Sequence, residues 1–329
     1  MKTKEMENSN NEGVITTFRH SLDSIPLDLI SDILLKFPAK SLVEFTCVSN
    51  TWYSIIRSQM FIKTFMSISI SRPRILLTFK RNHNGENELL FFSSPDTSQV
   101  SNDSSSVVSR HEMTMSRTSL GDYIIHSPSV RGFLCCSHQH QYMVCNPTTR
   151  QVINLPEDHR FDHGTMKCYM HLGYDPSMCI HWNVNNVLIL RGGALKRFCQ
   201  IKTPGEKFTC LANYKGKLAG LSLLGNSFNL WVLDDVKEQT WSKTDTFVLS
   251  HTLWNIQLKF SGTTDAGELV FAPSSFSDDF HVFYFDIKEK TMRRVKLEGV
   301  TNDEEFRCRR KHLCYVSISC DHVENIYLY

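Results

Sequence analysis

The stretch Ser24–Ile56, SIPLDLISDILLKFPAKSLVEFTCVSNTWYSII, decides how the N-terminal part of the chain folds. Pro26, Leu29, Ile30, Ile33, Leu34 and Phe37 recur at i, i+3, i+4, i+7, i+8 and i+11, the spacing of one continuous helical face. Leu27 and Leu35 widen that face, leaving Asp28, Ser31, Asp32 and Lys36 as a narrow polar stripe. A surface helix of a globular domain needs only one apolar stripe. The surplus predicts a partner.

Helix boundaries are marked on both sides. Asp23 and Ser24 are candidate caps, and Pro26 is expected in the first turn, where its missing N–H costs nothing. Pro38 cannot continue the first helix and opens a second, carrying Leu42, Phe45 and Val48. Ser49 or Asn50 caps a third, carrying Trp52, Ile55 and Ile56. A unit of this size falls below the ~40 residues at which a core sustains itself. It has to lean on another chain, on the rest of this one, or on both.

In this order the residues resemble the F-box: Ile25-Pro26, Leu29, Ile33-Leu34, Pro38, Val48 and Trp52 occupy the positions of its pattern. Ile25 stands where the pattern has Leu. The resemblance implies docking on a Skp-family adaptor, and through it on the cullin and RING subunits of a ubiquitin ligase. By the same resemblance Ile25, Pro26 and Leu29 anchor that contact. Ile33, Leu34, Pro38, Leu42, Val48 and Trp52 complete the set, some of them divided between contact and internal packing. A helical cap packed on the following domain is the alternative that needs no partner.

The rest of the chain reads differently. The first 20 residues are polar and predict a disordered lead-in, followed by the helical unit over 21–66 and a β-rich domain over 67–329. The sequence thus predicts an α+β multidomain chain. Ile75-Leu76-Leu77-Thr78-Phe79 and Leu89-Leu90-Phe91-Phe92 read as strands joined by an Asn84-Gly85 hairpin. The serine-rich segment 93–110 has little to bury and predicts a mobile loop.

A unit then repeats. Gly132-Phe133-Leu134, Gly216-Lys217-Leu218 and Gly267-Glu268-Leu269 each open a strand. A second strand follows, ending at Asn146, Asp234 or Asp286, then a turn and a third strand. Asp234 and Asp286 stand 52 residues apart, near the ~50 of a kelch-type propeller blade. A β-sandwich with similar hairpins also fits this pattern.

The segments Leu90–Pro95, Gly132–Cys136, Asn146–Arg150, Gly173–Pro176, Asn213–Leu218, Leu230–Asp234 and Thr264–Glu268 resemble, in order, the type 3 F-box-associated interaction domain of plants, implying a kelch-propeller-like fold. Against that family, residues 178–209 are about one blade short, keeping only Val187–Leu190 and Glu206–Phe208 as strand-like runs.

Composition excludes several functions. A formal charge of +2, from 36 basic and 34 acidic residues, makes no electrostatic case for nucleic acid or an anionic membrane. No run of about 18 apolar residues predicts a transmembrane helix. The 11 cysteines are odd in number and irregularly spaced, so free thiols are expected, in the cytoplasm or nucleus. Cys135-Cys136 with His138 and His140 lacks a paired-cysteine zinc pattern. No phosphate loop or supported carboxylate pair appears, so no catalytic residue, cofactor or metal is expected. The aromatic residues of the strands read as core, and the loops Asp234–Glu238 and Ser274–Asp279 as surfaces able to carry protein contacts.

These readings converge on a non-catalytic receptor that presents a target protein to a ubiquitin ligase. The alternatives are an adaptor-binding protein without a working substrate domain and a propeller-type enzyme or sugar binder, against which the lack of any convergent polar constellation argues.

Overall fold

The computed structural model describes residues 25–83, 86–95, 105–108, 110–117, 123–125, 128–138, 141–155, 171–174, 187–191, 194–195, 204, 208–224, 227–235, 238–248, 258–264, 266–277, 279–300 and 315–327. The chain divides into two compact units, one ending at Phe65 and one starting at Met66.

The first unit holds α1 (Leu27–Leu34), α2 (Ala39–Phe45), α3 (Asn50–Ile56) and the start of α4 (Gln59–Ile70). Pro26 is the residue before the first turn, φ −54° and ψ 140°, not a member of that turn. Its carbonyl accepts the N–H of Ile30. Asp23 and Ser24 lie outside the described residues. Pro38 starts α2 in the same way, and Ser49 caps α3 by accepting the N–H of Trp52 at 3.1 Å. The fourth helix runs for 12 residues. Phe45 binds the three short helices into one bundle, edge-on to Phe37 at 5.1 Å and to Trp52 at 5.2 Å.

The second unit is an all-β propeller of four blades. The first blade is β1 (Arg74–His83), β2 (Glu86–Pro95), β4 (Arg110–Arg117) and β20 (Tyr315–His322), in the order β20-β1-β2-β4. The second comprises β5 (Tyr123–Ile125), β6 (Leu134–His138), β7 (Gln141–Asn146) and β8 (Gln151–Asn154). The third comprises β12 (Phe208–Tyr214), β13 (Lys217–Leu224), β14 (Ser227–Asp235) and β15 (Thr240–Phe247). The fourth comprises β16 (Leu258–Thr263), β17 (Leu269–Pro273), β18 (His281–Asp286) and β19 (Thr291–Glu298).

A fifth strand, β3 (Ser105–Val108), joins the fourth blade parallel to β19. This corrects the reading of 93–110 as one loop: Ser93–Pro95 finish β2, and Ser105–Val108 pair instead of dangling. Pairing of β1 with β2 extends to His83 opposite Glu86, and the expected Asn84-Gly85 turn lies outside the described residues.

Alternate side chains on single strands decide between propeller and sandwich. Leu90 and Phe92 pack into a core shared with the fourth blade, among Val270, Val282 and Tyr284. Leu89 and Phe91, their neighbours on the same strand, pack into a second core with Leu134 and Met143 of the second blade. Val282 and Tyr284 face the first blade, while Phe283 and Phe285 face Leu221 and Leu230 of the third. A sandwich sheet buries one face and leaves the other wet. Sheets buried on both faces need a neighbour on each side, the arrangement of radially packed blades. This is also why Leu89–Phe92 is an unbroken apolar run rather than an alternating one.

The ring is closed by its ends. Strand β20 pairs with β1, so the last strand of the domain lies beside its first. The following tail is tied to the second blade. Ser129 Oγ meets His322 Nδ1 at 2.8 Å, Asn325 Nδ2 donates to the Arg131 carbonyl at 2.6 Å, and Asn146 Nδ2 donates to the Asn325 carbonyl at 3.0 Å.

Between the second and third blades lies a reduced sheet: β9 (His171–Tyr174), β10 (Val187–Arg191) and β11 (Ala194–Leu195). Strands β9 and β10 run parallel, whereas the pairs inside the four blades are antiparallel apart from β3 on β19. Of the run Glu206–Phe208, only Phe208 is described, as the start of β12.

Candidate adaptor-binding and target-binding surfaces

In the helical unit the broad apolar face of α1 separates into two stripes. Ile30 and Leu34 turn inward, at 9 % and 0 % exposure, and join Ala39, Leu42 and Ile56 as the core. Pro26, Leu29, Ile33 and Phe37, spaced at 3, 4 and 4 residues, form the outward stripe; Leu29 is 52 % and Ile33 48 % exposed. Ile25 lies at its start, and Leu27, on the first turn, is the most exposed apolar residue of the helix at 61 %.

Of the residues the sequence nominates for the adaptor, Ile25, Pro26, Leu29, Ile33, Pro38 and Val48 are exposed, and Trp52 is half-buried against Phe45. Leu34 and Leu42 are fully buried. They are corrected from contact residues to core residues, because a three-helix unit this small needs every inward position it has. Leu27, Phe37, Tyr53 and Met60 are exposed apolar residues absent from the nominated set. Leu27 and Phe37 were visible in the helical periodicity, whereas nothing in the sequence distinguished Met60 from a core methionine. A half-exposed Leu or Ile still has roughly 1 kcal/mol to gain from full burial. Side by side on one small unit, such residues make a patch of the kind that marks a protein interface.

In the propeller, each blade turn carries its own local chemistry. The glycines of the repeat lie in turns and have left-handed backbone: Gly132 at φ +86°, Gly216 at +81° and Gly267 at +88°. The second recurring turn is fixed by an Asx side chain. Asn146 Oδ1 accepts the N–H of Thr148 and Thr149, Asp235 Oδ1 that of Glu238, and Asp286 Oδ1 that of Lys288 and Glu289. The turn residue of the third blade is therefore Asp235. Asp234, the residue the repeat suggests, instead pairs with Lys217 at 3.4 Å on the surface.

Both kinds of turn lie on one face of the ring. The loop around Asp234–Glu238 belongs to that face, whereas Ser274–Asp279 connects β17 to β18 at the opposite ends of the strands. The two loops nominated as contact surfaces are thus not brought together. Phe228, Phe271, Phe280, Phe283, Tyr284 and Phe285 are core; Trp231 and Trp241 are half-buried. Phe198 and Trp254 lie outside the described residues.

Cys135 and Cys136 occupy successive positions on β6, both buried, in two different cores. Burial pushes the Cys135 thiol well above the ordinary range, away from the thiolate that a metal needs. A hydrogen bond with Cys136, together with burial, does the same to Cys145. Among the described residues no cluster of His, Cys, Asp or Glu is placed to hold a metal, and no helix is long and apolar enough to cross a membrane.

Comparison with known proteins agrees with this architecture. Residues 22–64 match the F-box domain, and residues 74–188 and 194–323 match the F-box associated beta propeller domain. The chain is similar to three Arabidopsis thaliana proteins over most of their lengths. F-box protein At1g30790 is 32 % identical over 402 aligned positions, covering 94 % of this chain and 99 % of that one. F-box protein At5g65850 is 29 % identical, covering 92 % and 90 %. F-box protein At1g53790 is 29 % identical, covering 96 % and 83 %. These alignments run longer than the 329 residues of this chain, so each relative carries segments that it lacks. The interruption of the family match at 189–193 falls within the reduced sheet. Among solved structures, Porphyromonas gingivalis dipeptidyl peptidase 4 matches 67 % of this chain and 38 % of its own at 11 % identity and a TM-score of 0.27, too slight a likeness to bear on fold or function. The chain belongs to the plant F-box proteins that carry an F-box-associated β-propeller domain.

Proposed function

We propose that the chain is the substrate-recognition subunit of an SCF-type ubiquitin ligase, acting in the cytosol or nucleus. The helical unit docks on a Skp-family adaptor, which links it to cullin and RING subunits, and the propeller holds the target protein. The observation that carries the reading is the outward stripe of Ile25, Pro26, Leu29 and Ile33, flanked by Leu27, Pro38 and Val48, with Trp52 half-covered beside it. A unit that has already filled its core with Leu34 and Leu42 gains little internally from the exposed members of that stripe. The chain itself performs no chemistry. Its contribution is to raise the effective concentration of target lysines near a charged ubiquitin-conjugating enzyme.

Co-expression with a Skp-family adaptor tests the docking. Leu29→Asp and Ile33→Asp are expected to abolish co-purification while leaving the propeller transition in calorimetry unchanged. Undiminished co-purification of both variants would refute the assignment of this stripe.

One observation favours a second reading, an adaptor-binding protein with no working substrate domain: among the described residues, the sheet between the second and third blades in sequence has three strands where the blades have four or five. Target ubiquitination that requires residues 66–329 separates the two.

A further inference from the structure

The propeller face with the glycine and Asx turns holds a depression of about 260 Å³, where the first turn of the third blade meets both turns of the fourth. Tyr214, Lys215, Gly267, Glu268, Asp286 and Lys288 are among its walls.

Its two carboxylates are already engaged. Arg293 grips Glu268 with both arms, Nε to Oε1 at 3.0 Å and Nη2 to Oε2 at 2.9 Å, and its guanidinium lies 3.9 Å from the centroid of the Tyr284 ring. Asp286 accepts two backbone N–H groups, at 2.8 and 3.1 Å. Among the described residues neither the Lys215 nor the Lys288 ammonium meets a carboxylate.

Lys215 is also held in place. Its Nζ lies 5.0 Å from the centroid of the Tyr214 ring. Its stem crosses the backbone of the next blade so closely that a Cβ on Gly267 would fall 2.6 Å from Lys215 Cε. Its own backbone sits at φ +52°, which with Gly216 at +81° makes the tight two-residue turn between β12 and β13.

From this geometry we infer that the depression is a recognition pocket for an anionic side chain, a carboxylate or a phosphate, on a segment of the target protein. Lys215 and Lys288 donate to the anion. Arg293 and the turn amides keep Glu268 and Asp286 from turning toward those two lysines. This rests on the target-receptor reading of the propeller and gives that reading a ligand chemistry.

The test uses the full chain, co-purified with a Skp-family adaptor and immobilised, against peptides with Glu, phosphoserine, Ala or Lys at one central position between randomised flanks. Charge-assisted hydrogen bonds are each worth about tenfold or more in affinity. Peptides with Glu or phosphoserine are therefore expected to be retained at least tenfold over those with Ala or Lys, and the ratio between the two distinguishes carboxylate from phosphate. Lys215→Asn combined with Lys288→Ala should erase the preference, since Asn keeps the left-handed turn but brings no charge. Lys215→Arg with Lys288→Arg should restore it, and Leu224→Ser, on the opposite face, should not change it. A preference for Ala or Lys, or an anionic preference unmoved by the double variant, overturns the pocket and leaves the receptor reading standing. Retention of no peptide overturns the pocket and counts against the receptor reading too.

Discussion

Replacing Asn325 by alanine should loosen the closure of the propeller by an amount the structure lets one estimate. Asn325 is 1 % exposed. Its Nδ2 donates to the Arg131 carbonyl at 2.6 Å and its Oδ1 accepts the N–H of Tyr327 at 2.8 Å. Both bonds vanish in the alanine variant, whereas the bond from Asn146 to the Asn325 carbonyl involves only backbone on that side and survives. Each buried group left without a partner costs about 1–3 kcal/mol. Arg131 and Tyr327 are both only half-buried, which places the total near the lower end, at about 3 kcal/mol. In a domain of this size each kcal/mol moves the melting temperature by about 2–4 °C. The β-domain transition in scanning calorimetry is thus expected to fall by roughly 6–12 °C. Gly132→Ala strikes the same seam from the other side. A Cβ there would lie 2.5 Å from Asn325 Cβ and 2.6 Å from the Val323 carbonyl, at a φ of +86°. Because both changes open one seam, the double variant should cost less than the sum of the singles. A fall of under about 2 °C for Asn325→Ala, or strict additivity, would refute the view that the tail acts as a clasp.

Two other expectations concern the interior. Leu34→Ala removes a fully buried side chain from a small core and should cost about 3–5 kcal/mol, melting the helical unit. Leu29→Asp should leave the helical signal at 222 nm intact, and equal loss in both variants would contradict the division into inward and outward stripes. The cysteines should separate by environment. At pH 8, Cys47, which is exposed, should be alkylated by iodoacetamide in the folded protein. Cys135 and Cys145, kept protonated by raised thiol pKa values and shielded by burial, should react only in denaturant. Mapping of labelled peptides by mass spectrometry checks this, and early labelling of Cys135 would contradict the packing of β6.

The sequence by itself determined the first three helices and the repeated strand units, with their order along the chain. Helical periodicity and two prolines located α1 and α2, because apolar spacing and a missing N–H act locally and leave local traces. The recurring Gly-x-Leu and Asx turns fixed the strand units for the same reason: a left-handed φ and a side chain capping its own turn are properties of a few consecutive residues. Even so, the local pattern pointed to Asp234 where the capping bond is made by Asp235, since two adjacent aspartates are alike until strand register separates them.

Tertiary structure alone decided whatever depends on neighbours distant in sequence. Leu29 and Leu34 are equivalent members of one apolar face, and only the packing of α2 and α3 turns one outward and the other inward. Ser105–Val108, two serines and two valines at the end of a serine-rich run, is too short to announce itself as a strand, and its place is set by the open edge of β19, nearly two hundred residues away. Lys215 and Lys288 lie in separate repeats and become one site because blades three and four pack side by side. The choice of propeller over sandwich belongs here too: a run such as Leu89–Phe92 says that both faces are buried, but not by which neighbours.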